Sequence, residues 1–274
     1  MKKLWKKTSI LFVTMIMLMM AGCGQSNEEA SPKIADGQSD LEYVQSKGTL
    51  VVGITDFAPM DYRDGEDWTG FDADLAEAFT QDLGVTLEFV EIDWDKKTEL
   101  LEKGEIDCIW NGMTMTEELQ ETISCSKPYF SNAQVIVLQK SKMEKYNTAE
   151  SCQHLLFAVE TGSTGESLLK DQKYRYTACS TQMDALQSVR EKKADAAVID
   201  IIMAAYYTGD GKELDDLGFD ISLNDEKICV GFRKDSNLTE KVNDFLKASY
   251  DDGTILSLAD RYGIESAVLD IADE

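Results

Sequence analysis

From Leu50 to Tyr262 the chain alternates short apolar, β-branched runs with stretches whose apolar residues recur at helical spacing. Leu50 to Ile54 (LVVGI), Thr86 to Ile92, Asp107 to Asn111, Gln134 to Gln139, Leu155 to Val159, Arg175 to Thr177 and Ala194 to Ile199 (ADAAVI) read as strands. Between them, Gly70 to Gly84 places Phe71, Leu75, Ala78, Phe79 and Leu83 on one face, opens on acidic residues that suit a helix N-terminus, and stops at a glycine. Lys97 to Lys103, Glu166 to Leu169, Met183 to Lys192, Ile201 to Tyr207, Leu238 to Tyr250 and Ile255 to Tyr262 are further helical stretches, and Glu117 to Thr122 begins a helix or a turn. Strand, helix and strand repeated in this order make right-handed parallel units. Two apolar runs, Gln134 to Gln139 and Lys227 to Arg233, read as crossings. The expected fold is therefore α/β with two lobes, 41–133 plus 234–274 and 134–233, joined by two crossing strands that serve as a hinge. A cleft between strand ends is the expected ligand site.

The run Ile106 to Thr116 (IDCIWNGMTMT) organises the first lobe, an apolar strand that opens at Asn111-Gly112 into a threonine-bearing loop. Its counterpart in the second lobe is the strand that delivers Asp200. An acid at a strand end facing a cleft is a natural partner for an ammonium group. Ser163 and Thr164, in a glycine-bounded loop ahead of a helix, offer hydroxyls and backbone N–H groups to a carboxylate; each is equally suited to capping that helix.

The start of the chain changes the picture. Lys2, Lys3, Lys6 and Lys7, then Thr8 to Met20, then Ala21-Gly22 have the layout of an export signal over residues 1–22, with an apolar core too short to span a bilayer. Cys23 follows directly, in a setting that resembles a lipobox, so a diacylated Cys23 is expected to anchor the protein to the outer face of the cell membrane. Residues 23–40 are polar and without periodicity, as expected of a flexible tether. The formal charge is −24, and removing the four leader lysines leaves 23 basic against 51 acidic residues, or −28. Such a surface excludes nucleic acid as a partner and leaves the lipid anchor as the only membrane contact. Cys108, Cys125, Cys152, Cys179 and Cys229 show neither CxxC nor metal-ligand spacing, so no metal or other cofactor is expected. Export permits disulfides among these five, in a pairing that spacing leaves open.

In order and spacing, these landmarks make the chain from Leu50 to Tyr262 resemble the family 3 extracellular solute-binding proteins, the amino-acid receptors of ABC importers. The residues that carry the resemblance are Gly48 to Gly53, Phe57 to Met60, GFDADLA at Gly70 to Ala76, Asp93 to Asp95, KGEID at Lys103 to Asp107, NGMTMT at Asn111 to Thr116, SKPYF at Ser126 to Phe130, ETGSTGE at Glu160 to Glu166 and ADAAVID at Ala194 to Asp200. The resemblance implies a two-lobed, periplasmic-binding-protein-like fold of type II, acting as a monomer that closes on a solute and is recognised by an ABC permease. It further implies that Gly112 accepts the ligand ammonium on its carbonyl, that Thr114 offers its hydroxyl, and that Phe57 lies over the ligand side chain. Asp56, Trp110 and Asn111 complete the expected ligand-binding set, Trp110 being equally readable as core.

One departure matters. Five residues after Thr114, where the family carries an arginine that clamps the ligand carboxylate, this chain has Leu119. Three outcomes are open: the second lobe holds the carboxylate alone, a lysine reaches in, or the ligand is cationic and has no α-carboxylate. An enzyme is the rival class, because dehydratases and domains of lytic transglycosylases share the fold. The only histidine, His154, sits ahead of an apolar run, and no Ser-His-Asp order, phosphate loop or HExxH occurs. No catalytic residue is expected.

Overall fold

The computed structural model describes residues 37–271; the leader, Cys23 and most of the tether lie outside them. Regular structure begins at helix α1 (Asp40–Lys47), earlier than the tether boundary allowed. Ser39 caps it in a reciprocal capping box with Glu42, which satisfies two of the N–H groups that a helix start leaves open. Arg233 fixes α1 to the body, because its guanidinium reaches Asp40 at 3.0 Å, Asp107 at 3.3 Å and the Ile106 carbonyl at 2.8 Å.

The chain then runs through β1 (Thr49–Ile54), the hairpin β2 (Tyr62–Asp64) and β3 (Asp67–Thr69), α2 (Phe71–Leu83), β4 (Thr86–Glu91), α3 (Lys97–Lys103), β5 (Cys108–Ile109), α4 (Glu117–Thr122) and β6 (Ser124–Cys125). Helices α2 and α3 each stop at a glycine in the left-handed region, Gly84 and Gly104. After β7 (Phe130–Asn132) come β8 (Gln134–Gln139), α5 (Lys140–Met143), β9 (Leu156–Glu160), α6 (Thr164–Asp171), β10 (Arg175–Cys179), α7 (Gln182–Arg190), β11 (Ala196–Asp200), α8 (Ile201–Tyr207) and β12 (Leu217–Ser222). Strands β13 (Glu226–Ile228) and β14 (Gly231–Phe232) and helices α9 (Leu238–Asp251) and α10 (Thr254–Tyr262) complete the fold.

Two five-stranded sheets result. The first has the order β4-β1-β5-β14-β6, with β1 parallel to both β4 and β5 and β14 antiparallel. The second has the order β10-β9-β11-β8-β12, with β8 antiparallel to its neighbours β11 and β12. Helix α9 returns to the first sheet's side, where Phe245 packs on Phe79 of α2 with ring centres 5.3 Å apart.

The hinge differs from the expected one. Strand β8 lies wholly inside the second sheet, and the crossing is made by β7, antiparallel to β13 with Asn132 opposite Glu226 and Phe130 opposite Ile228. The run Lys227 to Arg233 likewise splits, because β13 belongs to the hinge pair and β14 pairs with β5 and β6. Residues 231–232 therefore sit with the first lobe rather than the second. All five cysteines of the described residues are free thiols.

Candidate functional site

Strand ends from both sheets converge on a cavity of about 510 Å³ between the lobes. The first lobe contributes the loop after β5. Gly112 has φ +56°, and a Cβ there would come within 2.3 Å of the Phe57 ring, so only glycine allows the backbone to pass under that aromatic. Two buried acids hold the loop from behind. Asp72 accepts from the Gly112 N–H at 2.7 Å and from the Tyr129 hydroxyl at 2.7 Å, while Asp61 accepts from the Asn111 amide at 2.8 Å. Burial pushes Asp72 up to about 7 and Asp61 well above the usual carboxylate range.

The second lobe contributes Asp200 at the end of β11, Glu160 at the end of β9, Gln182 at the start of α7, and the loop into α6. Asp200 is 6% exposed and accepts from the side-chain amides of Asn132, Gln134 and Gln182. Burial, followed by the nearby Glu226 charge, raises it to about 7. Glu160 is 4% exposed and is raised to about 8, first by burial and then by Asp200, with Lys97 acting in the opposite direction. Glu226, on the hinge strand β13, accepts from Thr114 at 2.9 Å and from the amides of Asn132 and Gln134, which connects both lobes through one carboxylate.

Of the residues expected to line the site, Phe57, Asn111, Gly112, Thr114, Ser163, Thr164 and Asp200 all do so. Asp56 and Trp110 do not. Asp56 is exposed, held above the usual carboxylate range by partial burial and by Glu91, outside the cavity wall. Trp110 is fully buried, its ring 5.8 Å from Phe79, because the residue before the loop still points into the first lobe's core. Its indole N–H lacks a hydrogen bond of normal geometry, yet lies close enough to Asp72 to favour that carboxylate's charge.

Several lining residues have their polar atoms engaged with the protein. The Asn111 side-chain oxygen accepts from the Thr55 N–H at 2.6 Å and from the Thr55 hydroxyl at 2.7 Å. Ser163 donates to the Glu160 carbonyl and accepts from the Glu166 N–H, as the N-cap of α6. The Thr164 hydroxyl accepts from Gln134 at 3.0 Å.

Leu119 does face the cavity, and no arginine lines it. The cavity-lining residues missed from the sequence include Lys97, Glu118, Glu160, Gln182, Trp94 and Thr55. Lys97 opens α3 with its side chain turned inward, and its ammonium donates to the Trp94 carbonyl at 3.1 Å and, across the cleft, to the Gly162 carbonyl at 3.0 Å. The lobes also meet where Gly162 packs on the Asp95 backbone, so closely that a Cβ at 162 would come within 2.7 Å of the Asp95 Cα. Among the described residues no group of three metal-ligating side chains converges, and no helix is long and apolar enough to cross a membrane.

This geometry, two αβ lobes gripping a polar cavity beside a two-strand hinge, recurs in known proteins. The chain is 26% identical over 262 residues to the arginine-binding extracellular protein ArtP of Bacillus subtilis, covering 92% of this chain and 96% of that one. The crystal structure of the ancestral amino acid-binding protein AncCDT-1, a precursor of cyclohexadienyl dehydratase, superposes with a TM-score of 0.76 at 32% identity, covering 82% of this chain and 99% of the other. An ABC uptake transporter substrate-binding protein from Streptococcus pneumoniae with bound histidine superposes at 0.78 with 28% identity, covering 86% and 100%. Residues 50–265 match the bacterial extracellular solute-binding proteins, family 3, as a continuous unit, and the chain belongs to that family.

Proposed function

We propose that the protein is a receptor for a small cationic solute, a basic amino acid or a related amine, which it captures between its lobes and presents to the permease of an ABC importer. The observation that carries this reading is the charge of the cavity wall. Two buried carboxylates, Asp200 and Glu160, and the exposed Glu118 face a single ammonium, Lys97. Burial of unpaired carboxylates is costly, and the raised position of both buried acids expresses that cost. A solute carrying net positive charge relieves it. The arginine-binding relative from Bacillus subtilis and the histidine-bound structure from Streptococcus pneumoniae support the same solute class.

Capture involves no chemistry in this reading. Neither histidine nor cysteine lines the cavity, and His154 is exposed elsewhere. Ligand enters the open form, the lobes close about β7 and β13, and the permease recognises the closed form. A lipid anchor on Cys23 would keep the receptor beside its permease.

The test is calorimetry and thermal melting of the purified protein with arginine, lysine, histidine and their decarboxylated amines, against leucine and glutamine as neutral controls. A cationic ligand at 100 times its Kd adds about 2.7 kcal/mol, which raises Tm by roughly 5–10 °C for a chain of this size. Equal or tighter binding of the neutral controls would sink the charge argument. Turnover of a dehydratase substrate would replace the receptor by an enzyme.

A further inference from the structure

Lys97 is more than nine-tenths buried, lines the cavity, and makes no ion pair within 4 Å among the described residues. Its ammonium has three protons, and two of them are taken by the carbonyls of Trp94 and Gly162. Burial lowers it to about 8; Glu160, Asp95 and Glu118 act on it only through space and only partly restore it. The ring of Trp94 lies 4.5 Å beneath and offsets part of the burial, so the ammonium is left short of a counter-charge.

The ammonium bonds the Gly162 carbonyl in the loop that leads into α6, and Thr164, the first residue of that helix, lines the same cavity, its backbone N–H preceding any intrahelical acceptor. On the other side is Leu119, which brings no charge to the wall. The cavity wall thus carries one ammonium, Lys97 of the first lobe, near the start of a second-lobe helix and within electrostatic reach of Glu160, with Asp200 on the same wall.

We infer that Lys97 pairs with the carboxylate of the solute, doing from α3 what no arginine in this cavity does from α4, and that the solute is a basic amino acid rather than a bare amine. The inference rests on the cationic-solute reading and narrows it. Because Lys97 also reaches Gly162 across the cleft, the same ammonium binds the solute acid and seals the lobes. Carboxylate binding and closure are one event in this arrangement.

The experiment is calorimetry of the full chain and its Lys97→Met and Lys97→Arg variants with arginine against agmatine and lysine against cadaverine, each amine being the amino acid without its carboxylate. The variants' melting curves verify folding, and Lys97→Gln serves if the methionine variant fails to fold. The wild-type protein is expected to prefer each amino acid to its amine. Lys97→Met should weaken arginine and lysine by roughly 30-fold or more and agmatine and cadaverine, which lose only the Gly162 contact, at least tenfold less, and so erase most of the preference; Lys97→Arg should restore most of it. An equal loss for acid and amine would reduce Lys97 to a lobe contact and overturn the inference, as would no loss at all or a wild-type protein that binds the amines as tightly. If the wild-type protein binds neither amino acids nor amines, the cationic-solute reading falls and this inference with it.

Discussion

Both lobes bury a pair of carboxylates near the cleft, and the two pairs do different work. In the first lobe Asp61 and Asp72 face protein donors, so they shape the Asn111-Gly112 loop and stand outside the cavity wall. In the second lobe Asp200 and Glu160 are themselves cavity wall. All four are buried carboxyl groups. What separates scaffold from binding group is where the remaining lone pairs point, which depends on neighbours distant in sequence.

The contrast is sharpest under substitution. Asp200→Asn should cost about 2–5 kcal/mol of solute binding, 30-fold or more, since a buried charge partner is removed. Asp72→Ala should instead cost about 2–4 kcal/mol of stability, because the Tyr129 hydroxyl and Gly112 N–H lose their acceptor. Titrations and melting curves of the two variants would collapse the comparison if both lost binding alone. Glu160→Gln should move the two properties in opposite directions. The free protein gains about 1 kcal/mol by losing a buried carboxyl that folding forces to take up a proton, while cation affinity falls about tenfold.

Proton concentration probes the same division without mutation. Asp72 and Asp200 at about 7 and Glu160 at about 8 lie above their unfolded values. The folded state therefore holds more protons than the unfolded chain between about pH 4 and 8, and the stability of the free protein falls as pH rises through that window. Cation binding favours the ionised acids, so affinity should rise from pH 6 towards 8 with protons released on binding. Above about 8 Lys97 loses its charge and the gain reverses. Calorimetry in buffers of different ionisation enthalpy measures the proton count directly; flat affinity across this range would contradict the assignment of both acids. The smallest effect belongs to a site remote from either pair. Ser39→Ala removes the α1 cap for about 1 kcal/mol of stability, with binding unchanged in the same titration.

Much of this architecture is legible in the sequence where a local signal exists. The end of α3 follows from Gly104 and the body of α8 from its apolar run, and Gly112, Thr114 and Asp200 follow from their places at strand ends. An apolar run reports burial but not the sheet that buries it, which is why Gln134 to Gln139 reads as a crossing and is a second-lobe strand. The real crossing, Phe130–Asn132, is three residues long and ends on a polar side chain, too short to show periodicity. Strand β12 did carry a signal, with Leu217, Phe219 and Ile221 in alternation. Lys97 and Glu160 are illegible for another reason. In a chain with 51 acidic and 27 basic residues a charged position looks like surface, and only the folded cleft shows these two turned inward.

The bare backbone at Gly162 has a kinetic meaning. With φ +74° and no side chain, it lets the two halves shut flush against Asp95. A methyl group there would act as a wedge, leaving the gate ajar. Entry would be as fast as before, but the captive would escape sooner, and a transporter waiting for a shut receptor would meet more empty ones.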